Sequence, residues 1–391
     1  MKILYINPNA DLYGASRSLL RLVTALDKSV FVPRVLVPSR GPLLDALVRT
    51  GIAVDVVPYL GVVQRRMLHT PRSVTFLASF LPSVFRILGI IRREGVDIVH
   101  TNTATTPTPA VAARLAGVPH VWHLREMFAD DFPMFWSYFA RFMLRFADRV
   151  LCVSAPIMAQ FQTDPKVEVL HNGLDPMEYQ VDQAEVNAWR RRLASRAETI
   201  LVGVVSRISP WKGQDVFLEA CAVLRGNAKD VRFVIAGDTF EGNERLVKDL
   251  TDSAIARGFA EDVVFTGFVE EPRALIAALD ILVLPSTRPD PFPGVVLEGM
   301  ALGVPVVATN SGGAAEQVVH GVTGYLVLPK DPASLAAAIL DLLMNADLRR
   351  AMGRAGRERI ASHFTLDATR RRIEAVYLDL QGRANAGTSV S

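Results

Sequence analysis

Sulfur chemistry is nearly absent from this chain. Cys152 and Cys221 are the two cysteines in 391 residues, far apart and each in or beside an apolar run. No Cys/His spacing suits zinc, so a disulfide framework and a structural zinc site are both excluded, and the two thiols read as buried groups in a reducing compartment. An excess of charge is missing too: 43 Lys and Arg against 40 Asp and Glu leave +3, which demands no nucleic-acid partner. The start of the chain lacks the pattern of a secretory leader, because Lys2 precedes only the short run Ile3–Ile6, which stops at Asn7-Pro8-Asn9. The longest apolar stretch, Val74 to Ile91, carries Pro82 and Arg86 near its centre. It is expected to be a buried or interfacial helix pair rather than a membrane span. Three short motifs are absent as well: Asp-x-Asp, Gly-x-Gly, and Gly-Lys followed by Ser or Thr. With them go the sequence signs of a metal–diphosphate clamp, a dinucleotide fingerprint and a P-loop.

What is present is alternation. Half the residues are apolar and 21% are charged, a globular composition of two-domain length. Short β-branched runs at Ile3–Asn7, Arg34–Val37, Val54–Val57, Ile98–His100, His120–Leu124, Val150–Val153 and Val167–Leu170 read as strands, with helical spacing over Ser16–Leu26 and Pro109–Leu115. The scheme repeats with strands at Leu201–Val205, Arg232–Ala236, Val263–Thr266, Ile281–Leu284, Pro305–Ala308 and Tyr325–Val327. Helical patterns at Gln214–Leu224, Asn243–Arg257, Arg273–Ala278, Val295–Leu302 and Pro332–Met344 fall between them. Alternating strands and helices give parallel sheets covered on both faces, so an α/β chain of two doubly wound, Rossmann-like domains is expected. The expected bounds are residues 1–176, a linker at 177–198 within the charged segment Asp175–Glu198, and residues 199–363. An Arg-rich helix spanning 364–381 is expected to pack back on the first domain, and 382–391 to be a disordered tail.

In doubly wound sheets ligands bind beyond the carboxyl ends of the strands. Gly14, Asn102, His123, Arg207, Lys212, Asp238, Asp290 and Glu298 all fall on such ends, and two edges facing one another would form a cleft. The richest segment is Leu284–Thr309, in which a strand ends at Pro285, a Pro-rich loop follows, and a helix begins at Gly294. A helix N-terminus after a rigid loop favours an anion. Glu298, in the first turns of that helix, suits sugar hydroxyls rather than phosphate, and Asp290 precedes it with seven residues between. The loop Ser206-Arg207-Ile208-Ser209-Pro210-Trp211-Lys212-Gly213 sets two cations beside a strand end, where an Arg fork and a Lys charge suit phosphate. A solvated surface loop is the plainer reading of those cations. A glycosidase acid–base pair, or a simple dipole partner at the helix start, is the alternative for the carboxylates. His123 stands at a strand end, where a structural histidine is the plain alternative. Its odd separation from His120 puts the two on opposite strand faces, which argues against one metal site. Arg125 and Glu126 follow and are expected to orient His123.

Together, Asp290–Thr309, the Arg207…Lys212-Gly213 loop, the turn His171-Asn172-Gly173 and Ser311-Gly312-Gly313…Glu316 resemble the glycosyl transferase group 1 family. The resemblance covers nearly the whole chain and is strongest from about Val202 to Leu328. It implies the GT-B fold, two Rossmann-like domains facing across a cleft, and retaining transfer from a UDP- or GDP-linked sugar. It implies that Arg207 and Lys212 hold the donor diphosphate and that Glu298 takes the ribose hydroxyls. It further implies that Asp290 contacts the donor sugar and that Gly294 and Val295 offer helix-start N–H groups. His123 then lies by the reacting sugar, Gly267 and Phe268 line the base pocket, and Gly14, Asn102 and Asn172 complete the substrate contacts. Two departures stand out: Asp290 where the family has Glu, and one glycine in the first loop, Tyr13-Gly14-Ala15-Ser16, where the family often has two. The expected leaving-group charge comes from side chains and helix dipoles, with no required metal and no cofactor. Domain closure on donor binding is expected.

A second surface concerns the acceptor. Residues 56–93 contain no acid but carry Arg65, Arg66, Arg72, Arg86, Arg92 and Arg93 with Phe76, Phe80 and Phe85 interleaved. The run Phe135-Trp136-Ser137-Tyr138-Phe139-Ala140-Arg141-Phe142 is equally aromatic and basic. A buried helix with a solvated basic edge competes with a surface for anionic lipid or a lipid-linked acceptor. The expectation is a cytoplasmic hexosyltransferase, with peripheral attachment at the inner face of the membrane, acting on a glycan or lipid-linked acceptor in cell-surface polysaccharide or glycolipid biosynthesis. A GT-B nucleotide-sugar epimerase and a non-catalytic nucleotide-sugar binding protein remain as alternatives.

Overall fold

The computed structural model describes residues 1–58, 60–61, 72–129, 133–225, 230–240 and 242–388. The chain divides into two compact units, Met1–Asn172 with Leu366–Ser391, and Gly173–Thr365. The first unit runs β1 (Lys2–Ile6), α1 (Gly14–Ala25), β2 (Val32–Val37), α2 (Pro42–Arg49), β3 (Ala53–Val56), α3 (Arg72–Glu94) and β4 (Ile98–Thr101). It continues through α4 (Thr108–Ala116), β5 (His120–Leu124), α5 (Pro133–Phe146), β6 (Arg149–Cys152), α6 (Ala155–Met158) and β7 (Val167–Val169). The seven strands pair in parallel in the order β3-β2-β1-β4-β5-β6-β7, so the winding reverses between β1 and β4.

Burial follows the two-residue period of a strand. Ile3, Tyr5, Ile98, Val121 and Leu151 share one cluster with Leu19, Leu22, Ile373 and Tyr377. Leu4, Ile6, Leu36 and Val99 share another with Val84, Ile87, Ala112 and Ala113. Both faces are covered, which is why β4 and β5 are buried from end to end and read as continuous runs rather than alternating ones. The apolar stretch expected as a helix pair is one helix, α3, with Pro82 inside it. Val84, Ile87, Leu88 and Ile91 are buried along α3, and their burial offsets the N–H that Pro82 cannot donate. Among the described residues no helix is long and apolar enough to cross a membrane. Arg65 and Arg66 lie outside the described residues.

The second unit opens with a 3-10 turn, Pro176–Tyr179, and α7 (Gln183–Leu193). Then come β8 (Ile200–Val205), α8 (Gln214–Leu224), β9 (Val231–Ala236), α9 (Arg245–Ala256), β10 (Val263–Gly267), α10 (Arg273–Ala278) and β11 (Ile281–Leu284). It closes with α11 (Gly294–Ala301), β12 (Val306–Thr309), α12 (Ala314–Gln317), β13 (Gly324–Val327), α13 (Pro332–Met344) and α14 (Ala346–His363). Its six parallel strands run β10-β9-β8-β11-β12-β13, reversing between β8 and β11. The final helix, α15 (Leu366–Thr388), belongs to the first unit.

Two boundaries differ from expectation. The segment expected as a linker is folded: Asp182 caps α7 by accepting from Ala184 N, and Val186 packs on Ala274 and Ala278 of α10. Arg190 fastens α7 further, donating to Ala278 O at 2.8 Å and Thr199 O at 2.9 Å and pairing with Asp280 at 3.1 Å. Its charge pattern suggested a spacer because arginine here serves the carbonyls of the unit's own edge. The tail expected from residue 382 is helical to Thr388, where the Ala-rich sequence favours a helix and Arg383 pairs with Asp379 one turn earlier.

Candidate functional site

In the first unit the expected residues gather where β1 and β4 part. Gly14 opens α1, and a Cβ built on it would meet no atom within 4 Å, so the fold itself does not require glycine there. Asn102 directly follows β4 and is fully buried. Its Nδ2 donates to Asn7 Oδ1 at 2.9 Å and to Ala15 O at 3.3 Å, and its Oδ1 accepts from Arg125 Nε at 2.8 Å. The same guanidinium donates to Asn172 Oδ1 at 2.8 Å, so Arg125 clamps the turn after β7 to the loop after β4. Burial lowers the Arg125 pKa to about 10, against the opposing pull of Glu126. Glu126 is held by Thr103 Oγ1 and by the N–H groups of Ala104 and Arg125. Arg125 and Glu126 were expected to orient His123; they tie down neighbouring loops instead.

His123 lies in β5, buried, and neither ring nitrogen has a hydrogen-bond partner among the described residues. Its ring meets His100 edge-on, centroids 5.4 Å apart. The His100 imidazole is in turn fixed by the Tyr377 hydroxyl at 2.8 Å, and Tyr377 meets Tyr5 OH at 2.7 Å. Burial, then the Arg125 charge and His100, hold His123 well below the usual histidine range, so it is neutral near pH 7. His120 turns the other way and meets Thr101 Oγ1 at 2.8 Å. No group of three or more metal-ligating side chains occurs among the described residues.

In the second unit the site forms between the neighbouring ends of β8 and β11. Arg207 and Lys212 stand on the loop from β8 to α8. The loop is tight because Gly213 adopts φ 74° at the start of α8, where a Cβ would lie 1.9 Å from Pro285 O. Thr287 N donates to Trp211 O at 2.9 Å and binds this loop to the one after β11. Lys212 Nζ bonds Asp290 Oδ2, both side chains are largely buried, and the ammonium also lies 4.3 Å from the centre of the Trp211 ring. The main chain of Asp290 is backed by Gly312 and Gly313: Gly313 N donates to Asp290 O at 2.8 Å, and a Cβ on Gly312 would sit 2.1 Å from that oxygen. The Arg207 guanidinium stacks 3.9 Å over Phe240.

Glu298 lies four residues into α11, where Tyr179 OH donates to its Oε1 at 3.3 Å. Gly294 and Val295 begin that helix, Val295 half-buried and Gly294 with open space at its Cβ. Gly267 ends β10 with φ 72° and accepts from Gly237 N at 2.9 Å, while the Phe268 side chain is exposed. The structure therefore brings Lys212 and Asp290 into contact and sets Arg207 and Glu298 on the same carboxyl edge. No sequence pattern signals Tyr179, Phe240, His100 or Tyr377 as site partners; each is an aromatic group brought in from a separate segment.

Comparison with known proteins fits this geometry. Residues 185–359 match the family Glycosyl transferases group 1, and residues 13–178 match Glycosyltransferase Family 4. An uncharacterized glycosyltransferase of Methanocaldococcus jannaschii is 26% identical over 87% of this chain and 94% of its own length. A UDP-Gal:alpha-D-GlcNAc-diphosphoundecaprenol alpha-1,3-galactosyltransferase of Escherichia coli is 24% identical over 97% of both chains. The crystal structure of Anabaena HepE in complex with UDP superposes with a TM-score of 0.84 at 26% identity, covering 97% of this chain and 100% of that one. The two Rossmann-like units are those of the GT-B fold. Two family models thus match the two halves of the chain, and the protein is a glycosyltransferase of the GT-B fold whose residues 185–359 form a group 1 domain.

Proposed function

We propose that this glycosyltransferase moves a hexose, with retention, from a UDP- or GDP-linked sugar to a glycan or lipid-linked acceptor in cell-surface polysaccharide or glycolipid synthesis. The observation that carries the reading is the buried Lys212–Asp290 pair beside Arg207, at the point where the strand order of the second unit reverses. Cations preset at that point cost no reorganisation when the donor's diphosphate begins to leave. The E. coli relative is named for UDP-Gal, and HepE was solved with UDP and with UDP-glucose, which supports a nucleotide-sugar donor.

In this reading the bond from the anomeric carbon to the diphosphate oxygen breaks with its electron pair going to the oxygen. Arg207 and Lys212 stabilise that charge. The acceptor oxygen bonds the same face of the carbon, and its proton passes to the departing diphosphate. Asp290 aligns Lys212 and meets the donor sugar. Glu298, steadied by Tyr179, grips the ribose hydroxyls, and Val295 and Gly294 offer N–H groups at the helix start. Gly267 and Phe268 flank the base. His123, neutral and with both nitrogens unused within its unit, serves the reacting sugar, while Gly14, Asn102 and Asn172 shape the acceptor side. No metal or cofactor is required, because the Asp-x-Asp clamp is missing from the sequence.

The test is turnover of a panel of UDP- and GDP-sugars, with and without a chelator, followed by proton NMR of the first product. Retained anomeric configuration and chelator-resistant turnover are expected; an inverted centre, or isomerised donor without acceptor, contradicts the proposal. A cytoplasmic location with attachment to the inner membrane face is part of it. Leu81 and Phe85 on α3, and Phe135 and Tyr138 on α5, are exposed beside Arg86, Arg92 and Arg141. Flotation with anionic liposomes at low salt is the expected result.

A further inference from the structure

A cavity of about 700 Å³ opens in the first unit at the end of the sheet opposite to the candidate site. Pro119, Asp148 and Lys166, the residues that immediately precede β5, β6 and β7, form its floor. His123 lies four residues beyond Pro119, about 13 Å along the strand. Arg114 from the last turn of α4, Arg145 from the last turn of α5, Arg149 and Arg383 complete its charged wall.

The charges there do not cancel. Asp379 is shared by two arginines, accepting from Arg149 Nη2 at 2.6 Å and Arg383 Nε at 3.0 Å. Asp148 accepts from His120 N at 2.9 Å. Lys166 donates to Leu144 O at 3.0 Å and Ala147 O at 3.1 Å, which caps α5. Arg114 and Arg145 are exposed and make no ion pair among the described residues. Five cations therefore face two carboxylates. The carboxyl ends of α4 and α5 absorb about half a charge each, which leaves roughly two positive charges over. Arginine forks at several angles match phosphate oxygens. Phe146, Pro119 and Leu380 supply an apolar wall for the organic part of a ligand, and the volume suits a molecule of nucleotide size.

We infer that this cavity binds a soluble phosphorylated small molecule at a site separate from the donor loops of the second unit. Inorganic tripolyphosphate, which carries the charge without base or sugar, is the probe. It is titrated calorimetrically into the full chain carrying Arg207→Ala and Lys212→Ala, which removes the donor-loop cations, and then into the same chain with Arg114→Glu and Arg145→Glu added. Both added positions are on the surface, and unchanged circular dichroism and Tm establish that the fold persists. The expected result is binding in the first variant and a Kd raised at least about tenfold in the second, the loss of two charge-assisted contacts. Equal affinity in the two variants overturns the inference. So does absence of binding in the first, or binding confined to phosphatidic acid vesicles.

Discussion

Lys212 and Asp290 meet across two adjacent strand ends, and each explains the other's burial. A largely buried cation without its partner is costly, so the two substitutions separate by chemistry. Lys212→Ala removes the leaving-group charge, and initial rates of sugar transfer are expected to fall roughly 10²- to 10³-fold. Arg207→Ala is expected to lose a similar factor. Asp290→Asn keeps the shape but loosens the ammonium; its KM for donor is expected to rise with a smaller loss in kcat, and an unchanged KM would remove Asp290 from the site. The cations were legible in the sequence because a single post-strand loop carries both. Tyr179 was not, because it stands 119 positions from Glu298 in a segment whose charges suggested a spacer. Phe240 was hidden for the same reason: a ring over a guanidinium leaves no local period. His123 was legible as an unusual residue at a strand end, but its neighbour His100 is fixed by Tyr377, on a helix 277 positions beyond His100.

At the scale of elements, β4 and β5 bury three imidazoles, His100, His120 and His123. Burial lowers all three, His120 to about 3 and the others well below 6.5. A histidine held neutral in the fold takes up its proton only on unfolding, so stability is full above about pH 6.5 and falls as pH drops through that value. Each such proton is worth about 1.4 kcal/mol per pH unit. Glu126, raised above its usual range by burial, acts in the opposite sense with a single proton. Thermal unfolding followed from pH 7.5 to 5.5 is expected to show a steep loss of Tm; a flat profile would contradict neutral burial. The strands themselves were legible because both sheet faces are apolar. Helix α14 was not, since glycine makes its contact face: a Cβ on Gly353 would lie 2.0 Å from Gly303 O, and Gly356 rests on Met300. Gly353→Ala is expected to cost about 1–3 kcal/mol, measured by denaturant unfolding, from backbone that must shift.

At the scale of the whole molecule, the second unit is inserted into the first. The chain leaves the first unit after Asn172 and re-enters it at Leu366. The ends of the second unit touch, with Leu174 N donating to Phe364 O at 2.8 Å and Leu174 bridging Thr365. A fragment spanning 173–365 is therefore expected to fold alone, with a cooperative melt and dispersed amide spectra; a molten fragment would refute its independence. The opposite truncation, ending at Thr365, exposes the sheet face that α15 covers with Ile373, Tyr377 and Leu380, and is expected to aggregate. Two units were legible from the repeated alternation, whereas their true borders were not, because hydrogen bonds rather than composition mark them. The late return of α15 also sets an order of events on the ribosome. The half synthesised first waits, incomplete, for α15 to emerge, while the half synthesised second can finish ahead of it, so a chain interrupted before α15 spoils the half made first rather than the half made second.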